Sequence, residues 1–530
     1  MRPAQLVRAP LDRPHLHLEP PPDPLPLQLL REAPLWWALV PIVLVKLAAF
    51  VHGVVDIDES DWAIAGRLLG QGALPYVGFV EKKPVLSFLF YLPGALFGYR
   101  QWAMQILSAL WIFATALLAG RAARAWTRSE DAQRAAVWLY VCAACGGIPA
   151  VNAETMMNLP AVAALWAFAR AERTRRVRAD FVAGLCVAAA SLFKHQAGIL
   201  LVAFALAIAW GSIRLRRGPQ LARWAALLAG FALPWLALAG VYAALGHLGE
   251  LVEWNLLRNL AYAGHAPGPV WPRFLKGVGL GIALSAPVAF VLAAMEARKR
   301  ALDATRMALA LAFLLTWIPV SLGERFYEHY FLQFAPSMCV LAAPALVTLC
   351  DQWDGLSRLR RAALAFAVVF PMAFWAGHGF VRGMLHEAPL QDPRAVAISS
   401  WLREHSEATD RLFVWGHYSP IYYLADRLPG TRYYATSVHV GDFDPAQLPD
   451  ELDLRPYVSD RDVEQTIADL EASRARFVVD TAPSGLHRWN RVPLSLVPRL
   501  DEYVRANYRL VAEPAGAFVY ERVSRDRVAR

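Results

Sequence analysis

LWWALVPIVLVKLAAFVHGVV (35–55), followed without a break by DIDESDW (56–62), decides the fold class. The first run is long enough to cross the ~30 Å hydrocarbon layer of a bilayer as a helix of about twenty residues. The second sets four carboxylates, Asp56, Asp58, Glu59 and Asp61, within six residues at its end. Such a junction belongs to a membrane protein that uses negative charge at its interface.

The remainder of the chain repeats the apolar half of this pattern. Of its 530 residues, 57% are hydrophobic and 18% charged, and the mean hydropathy is +0.32, which excludes an ordinary soluble globular class. Further apolar blocks at 102–121, 134–150, 155–170, 180–193, 197–212, 222–243, 274–295, 304–321, 330–350 and 362–380 bring the expected spans to about eleven. Threaded alternately from a cytoplasmic N-terminus, they place RAARAWTR (121–128), RAERTRRVR (170–178), RLRRG (214–218), EARKR (296–300) and RLRRA (358–362) on one side, as the positive-inside rule requires. The net charge of +9 is thereby assigned to cytoplasmic loops, not to a nucleic-acid surface. PVLSFLFYLPGALFG (84–98) as a full span would invert everything after it, so it is expected to be an interfacial or partly inserted helix. The five cysteines all lie in apolar segments and read as packing residues.

Three regions follow. Residues 1–34 are Pro-rich and read as a disordered cytoplasmic tail; 35–380 form the membrane domain, with a first outer loop at 55–101; and 381–530 change to a charged, short-period pattern. In the last region RLFVWG (411–416), RYYAT (432–436), ARFVVD (475–480), YRLVAE (508–513) and AFVYER (517–522) are expected strands. AVAISSWLREHSE (395–407), DVEQTIADLEASRA (462–475) and VPRLDEYVRANY (497–508) are expected helices, giving a small α/β domain outside the membrane.

Under this threading, ionisable residues collect on the outer face. Ser60 and Asp61 read as the start of the helix SDWAIAGRLLGQG, whereas Asp58 and Glu59 stand before it. The same loop returns with Glu81, Lys82 and Lys83 in YVGFVEKKPVLSF. Glu154 follows a span in VNAETMMNLP, Lys194 and His195 sit between two short apolar segments in SLFKHQAGILL, and GERFYEHYFLQFAP carries Arg325, Tyr327, His329 and Tyr330. Each alone reads equally well as a capping or snorkelling residue, but ionisable groups at this depth are costly unless paired or functional. Cations near an interface hold a lipid-linked phosphate, and a carboxylate beside them can deprotonate an attacking hydroxyl. Together they describe sugar transfer from a polyprenyl phosphate.

At these residues the sequence resembles glycosyltransferase family 39 and its bacterial relatives, the lipid A aminoarabinose transferases and protein O-mannosyltransferase-like enzymes. The resemblance runs over roughly 35–350, through the Asp-Glu pair with WAIAGRLLGQGALPY, then EKKPVLSFLFY, NAETMMNLPAV, AGLCVAAASLFKHQAG and ERFYEHYFLQFAP, and VWGHYSPIYYLADRLPGTRYY (414–434) is similar to the outer-domain opening of bacterial members. It implies the C-type glycosyltransferase fold, an α-helical polytopic bundle whose first outer loop carries the acidic catalytic motif. The family's catalytic Asp-Glu pair falls on Asp58 and Glu59. Relatives carry Glu-Lys-Pro-Pro where this chain has EKKPV, so Lys82 is the carried-over position and Lys83 an added phosphate contact or a solvated residue. Lys194 matches a recurrent Lys after the fifth span, and Arg325, His329 and Tyr330 match an outer-face motif. The resemblance implies no cofactor; a divalent metal, if one binds, would use Asp56 and Asp58.

The expected function is inverting glycosyl transfer from a polyprenyl-phosphate sugar to a lipid, glycan or protein acceptor, with membrane lipids but no nucleic acid as further partners. The expected location is a bacterial inner membrane with the C-terminal domain periplasmic. A lipid-linked-sugar flippase, with its charges lining a midplane path, and a non-catalytic scaffold are the alternatives.

Overall fold

Apolar segments that meet no water must close their own backbone hydrogen bonds, and the computed structural model shows how this chain does so. It describes residues 23–147, 150–214, 220–262, 264, 268–300, 303–385, 392–443 and 449–523. Among these, six helices are long and apolar enough to cross a membrane, and eight if each of two bent pairs counts as one span. The other three expected spans are the helices Glu130–Ala144, Ala153–Thr174 and Val177–Phe193, shorter or more charged and packed within the bundle. The first of them ends before its expected limit at 150 because Gly146 and Gly147 follow, the latter at φ +101°. The basic stretch 215–218 and the tail 1–22 lie outside the described residues.

Three expectations change in detail. Part of the tail is ordered: Leu25–Glu32 is a helix that buries Leu27 and Leu30 and pairs Arg31 with Asp131 at 2.8 Å. The span expected at 35–54 is interrupted at Lys46, which is buried and donates to Gln105 Oε1 at 3.0 Å. The span expected at 274–295 is bent by 95° between Val270–Ala283 and Pro287–Arg298, since Pro287 has no N–H to continue a helix and is suited to begin one. Val85–Phe97 is a short apolar helix; at about 1.5 Å per residue it reaches only ~20 Å, too little for a full span.

The tightest seam lies between Val177–Phe193 and Leu221–Ala244. A Cβ on Gly184 would collide with the Leu227 carbonyl oxygen, and one on Gly230 with that of Phe181. Small residues let two backbones meet where lipid supplies no hydrophobic drive. The charged end of the seam is closed by Arg223, which donates to Asp180 at 2.9 and 2.8 Å and pairs with Glu172. Gly184→Val is therefore expected to lower the melting temperature in detergent by several degrees, overpacking costing about 1–3 kcal/mol, while a Val at exposed Gly240, which has open space around it, changes little.

Helix Arg358–Met384 runs through the composition change at 381, and the sheet domain follows. Its strands are β1 (Arg411–Trp415), β2 (Leu428–Pro429), β3 (Phe477–Asp480), β4 (Tyr508–Ala512) and β5 (Phe518–Arg522), in the order β2-β1-β3-β5-β4. β1 is parallel to β2 and β3, whereas β5 is antiparallel to β3 and β4. The strand expected at 432–436 is absent. Its backbone is already used: Arg432 N donates to Asp469 Oδ2 at 2.9 Å, and Arg432 O accepts from Val80 N at 3.0 Å. That second bond seats the sheet domain on the loop that leads to Glu81, Lys82 and Lys83. Arg67 with Asp426 at 2.8 Å and Arg258 with Asp462 at 3.0 Å hold it elsewhere.

Candidate active site

DIDESDW starts a helix earlier than its sequence suggests. Asp56 takes the extended N-cap conformation and the helix runs Ile57–Gly70, so Asp58 and Glu59 lie in its first turn, not before it. Glu59, in the third helical position, folds back to accept from Asp56 N at 3.3 Å and Val55 N at 2.7 Å through Oε2, the reciprocal bond of a capping box. Its Oε1 accepts from Val151 N at 2.7 Å and Gln105 Nε2 at 2.6 Å. With 0% exposure, Glu59 faces away from the cleft that its neighbours line. These bonds tie the acidic loop to the helix Gln101–Thr127 and to the backbone at Val151, and they hold Glu59 outside the cleft where a part in the chemistry is expected of it.

Asp58 points the other way, into a cleft of about 320 Å³ between the bundle and the sheet domain. Lys83 Nζ lies 3.7 Å from Asp58 Oδ2, whose side chain is 37% exposed. Burial alone would push the Asp58 carboxyl up, but the positive charges of Lys83, His329, Lys194 and His417 outweigh it and hold it below the ordinary carboxylate range. Its acidic neighbours go the opposite way. Burial, reinforced by nearby carboxylates, pushes Asp56 and Asp61 well above that range, and burial also raises Glu81 against the pull of Lys82 and Lys83. Burial would lower the Lys83 ammonium, yet Asp58 and Glu81 hold it well above its usual value. One carboxylate is thus kept charged among several pushed toward neutrality, the environment-driven division that separates a base from its acidic neighbours.

The two lysines separate cleanly. Lys83, the departure from the family pattern, reaches Asp58, while Lys82 pairs with Asp442 of the sheet domain and lies 3.9 Å over the Tyr262 ring. Arg325 contacts the same ring at 3.6 Å and donates to the Tyr262 carbonyl at 2.7 Å; it does not line the cleft itself. Glu154, two residues past the Asn152 N-cap, pairs with Lys194, whose Nζ lies 4.2 Å from the Tyr330 ring. Tyr330 and His329 both line the cleft, and His329 stacks on Tyr327 at 5.5 Å. His195 does not join them: it bonds Asn255 Oδ1 at 3.0 Å and stacks on Trp235. A second cavity of about 40 Å³, walled by Ile42, Val45, Ile112, Phe331 and Met338, runs into the bundle and shares Glu328 and His329 with the cleft.

The sheet-domain wall was missed by the sequence reading. Asp442, His417 and His487 line the cleft, the two imidazoles 5.6 Å apart. His417 follows β1 in the quoted VWGHYSP, a histidine at a strand end that could have been singled out. Among the described residues no three His, Cys, Asp or Glu side chains converge as metal ligands, Asp56 and Asp58 included. The cleft can hold an anion on lysine ammonium groups beside a carboxylate that stays charged.

Residues 81–242 match the sequence profile of the family described as dolichyl-phosphate-mannose-protein mannosyltransferase. In fold the chain is similar to ArnT from Cupriavidus metallidurans bound to undecaprenyl phosphate, with 14% identity, a TM-score of 0.60 and coverage of 92% of this chain and 98% of that one. The apo form of the same protein gives 16%, 0.58, 92% and 97%. An Archaeoglobus fulgidus oligosaccharyltransferase tethered to an acceptor peptide gives 13%, 0.51, 93% and 74%. No curated protein sequence matches the chain significantly. The chain thus resembles that mannosyltransferase family in profile over 81–242, and over most of its length it has the C-type glycosyltransferase fold seen in ArnT.

Proposed function

We propose that the protein is an inverting glycosyltransferase that takes a sugar from a polyprenyl-phosphate donor at the outer face of a bacterial inner membrane. The observation that carries this reading is the Asp58–Lys83 pair in a cleft closed by the sheet domain. Asp58 accepts the proton of an acceptor hydroxyl or amine as that group bonds to the anomeric carbon. The bond from that carbon to the phosphate oxygen breaks, and the electron pair leaves with the polyprenyl phosphate. Lys83 stabilises the departing charge, and Lys82 and Arg325 fix the Tyr262 wall beside it. One displacement inverts the anomeric centre. The basic ends of Gln101–Thr127 and Ala153–Thr174 lie opposite the cleft, which supports an outer, periplasmic cleft under the positive-inside rule.

The test is mass spectrometry of the protein in lipid nanodiscs with a mixed pool of polyprenyl-phosphate sugars and envelope extract as acceptor source. Release of free polyprenyl phosphate is expected; a donor that binds and is never cleaved would overturn the reading in favour of transport or scaffolding. The pH profile adds a second check. Because the Asp58 carboxyl is held low, its basic form persists as pH falls, and kcat/KM is expected to stay level through the neutral range. A limb near the ~6.5 of an ordinary imidazole would move the base to His329 or His417.

A further inference from the structure

At the opposite end of the bundle, three helices build a second charged site. Arg121 and Arg124 project from one face of Gln101–Thr127, and Arg170 and Arg173 from one face of Ala153–Thr174, each pair three residues apart, as neighbours on a helix surface require. With Gln133 and Trp166 they line an open groove of about 490 Å³. Arg124 is satisfied by Glu130 at 2.9 Å, and Arg170 stacks on Trp166 at 5.0 Å. Among the described residues, no carboxylate pairs with Arg121, Arg170 or Arg173. This contrasts with Arg223 nearby, whose charge is taken up by Asp180 and Glu172. Arginines that served only as topology signals would spread along solvated loops. Here they face one another across two packed helices, with an indole one turn inward at the level where aromatic side chains meet headgroups.

We propose that this groove binds the phosphate-bearing headgroup of an anionic membrane lipid. Guanidinium forks match phosphate oxygens in pairs, and a basic pocket between membrane helices is the geometry that holds such headgroups. Trp166 packs against the glycerol and upper acyl region. The site is independent of the cleft: Glu154 and Arg173 share one helix, and nineteen residues at 1.5 Å each separate them by about 28 Å.

The experiment is native mass spectrometry of the delipidated full chain titrated with phosphatidylglycerol, phosphatidylcholine or inorganic phosphate. Wild type is expected to retain phosphatidylglycerol preferentially, and Arg121→Gln with Arg173→Gln to weaken that binding about tenfold or more. Arg121→Lys with Arg173→Lys keeps the charge that orients the protein and removes the forks, so it decides the matter if the glutamine variant inserts poorly; a loss of about threefold or more is expected. Equal retention of both lipids, or unchanged binding in the lysine variant, would overturn the proposal. Inorganic phosphate competing at matched concentration would overturn the lipid as the source.

Discussion

Asp58→Asn is expected to lower turnover by about 10²–10⁴-fold, the usual contribution of a positioned general base, with the fold intact. Asp58 is partly exposed and its ion pair with Lys83 is long, at 3.7 Å, so its loss costs about 0–1 kcal/mol of stability. The measurement is donor cleavage at matched expression, beside the melting temperature of each variant. Wild-type turnover in Asp58→Asn would remove the base from this residue. Lys83→Met gives the companion result. Without that ammonium, burial is less opposed and the Asp58 carboxyl rises, so activity is lost at a higher pH on the acid side than in wild type. Donor KM should rise as well, because the cation that meets the phosphate is gone. Lys82→Met should differ, since Lys82 is paired with Asp442: the expected damage is to the seat of the sheet domain, and an unshifted acid limb distinguishes the two lysines.

The membrane class and the helical segments were legible because twenty apolar residues between basic loops have few other uses. The breaks were less so. Nothing in LVKLAAF announces that Lys46 is buried against Gln105, because that partner lies 59 residues away and both residues read as ordinary in their own segments. Charge density and family pattern alone single out Asp58, which the structure places in the cleft. Glu59 could not be told from it, since adjacent carboxylates in a first turn point to different sides only once the helix start is known, and that start was misplaced to Ser60. The choice between Lys82 and Lys83 likewise required the sheet domain, which draws Lys82 toward Asp442 from a distance of 360 residues in sequence. RYYAT has strong strand propensity, but tertiary demand on Arg432 decided its conformation.

Glu59→Gln tests this division of labour between neighbours. Each carboxylate oxygen of Glu59 accepts from two N–H groups: Val55 and Asp56 on one, Val151 and Gln105 on the other. An amide presents NH₂ at one of these positions, so whichever way it turns, two buried donors face a donor. Leaving a buried donor unpaired costs about 1–3 kcal/mol, and the melting temperature is expected to fall by roughly 5 °C or more on the scale of ~2–4 °C per kcal/mol for larger domains. Activity should fall with it and recover partly on cooling, since Asp58 is still present but its helix start is no longer fixed. Lys46→Met should show a weaker form of the same defect, because Lys46 orients the Gln105 amide that donates to Glu59. The opposite pattern, wild-type melting with turnover lost as completely as in Asp58→Asn, would return Glu59 to the chemistry and require the loop to turn over during the reaction, bringing into the cleft a carboxylate that four hydrogen bonds now hold out of it.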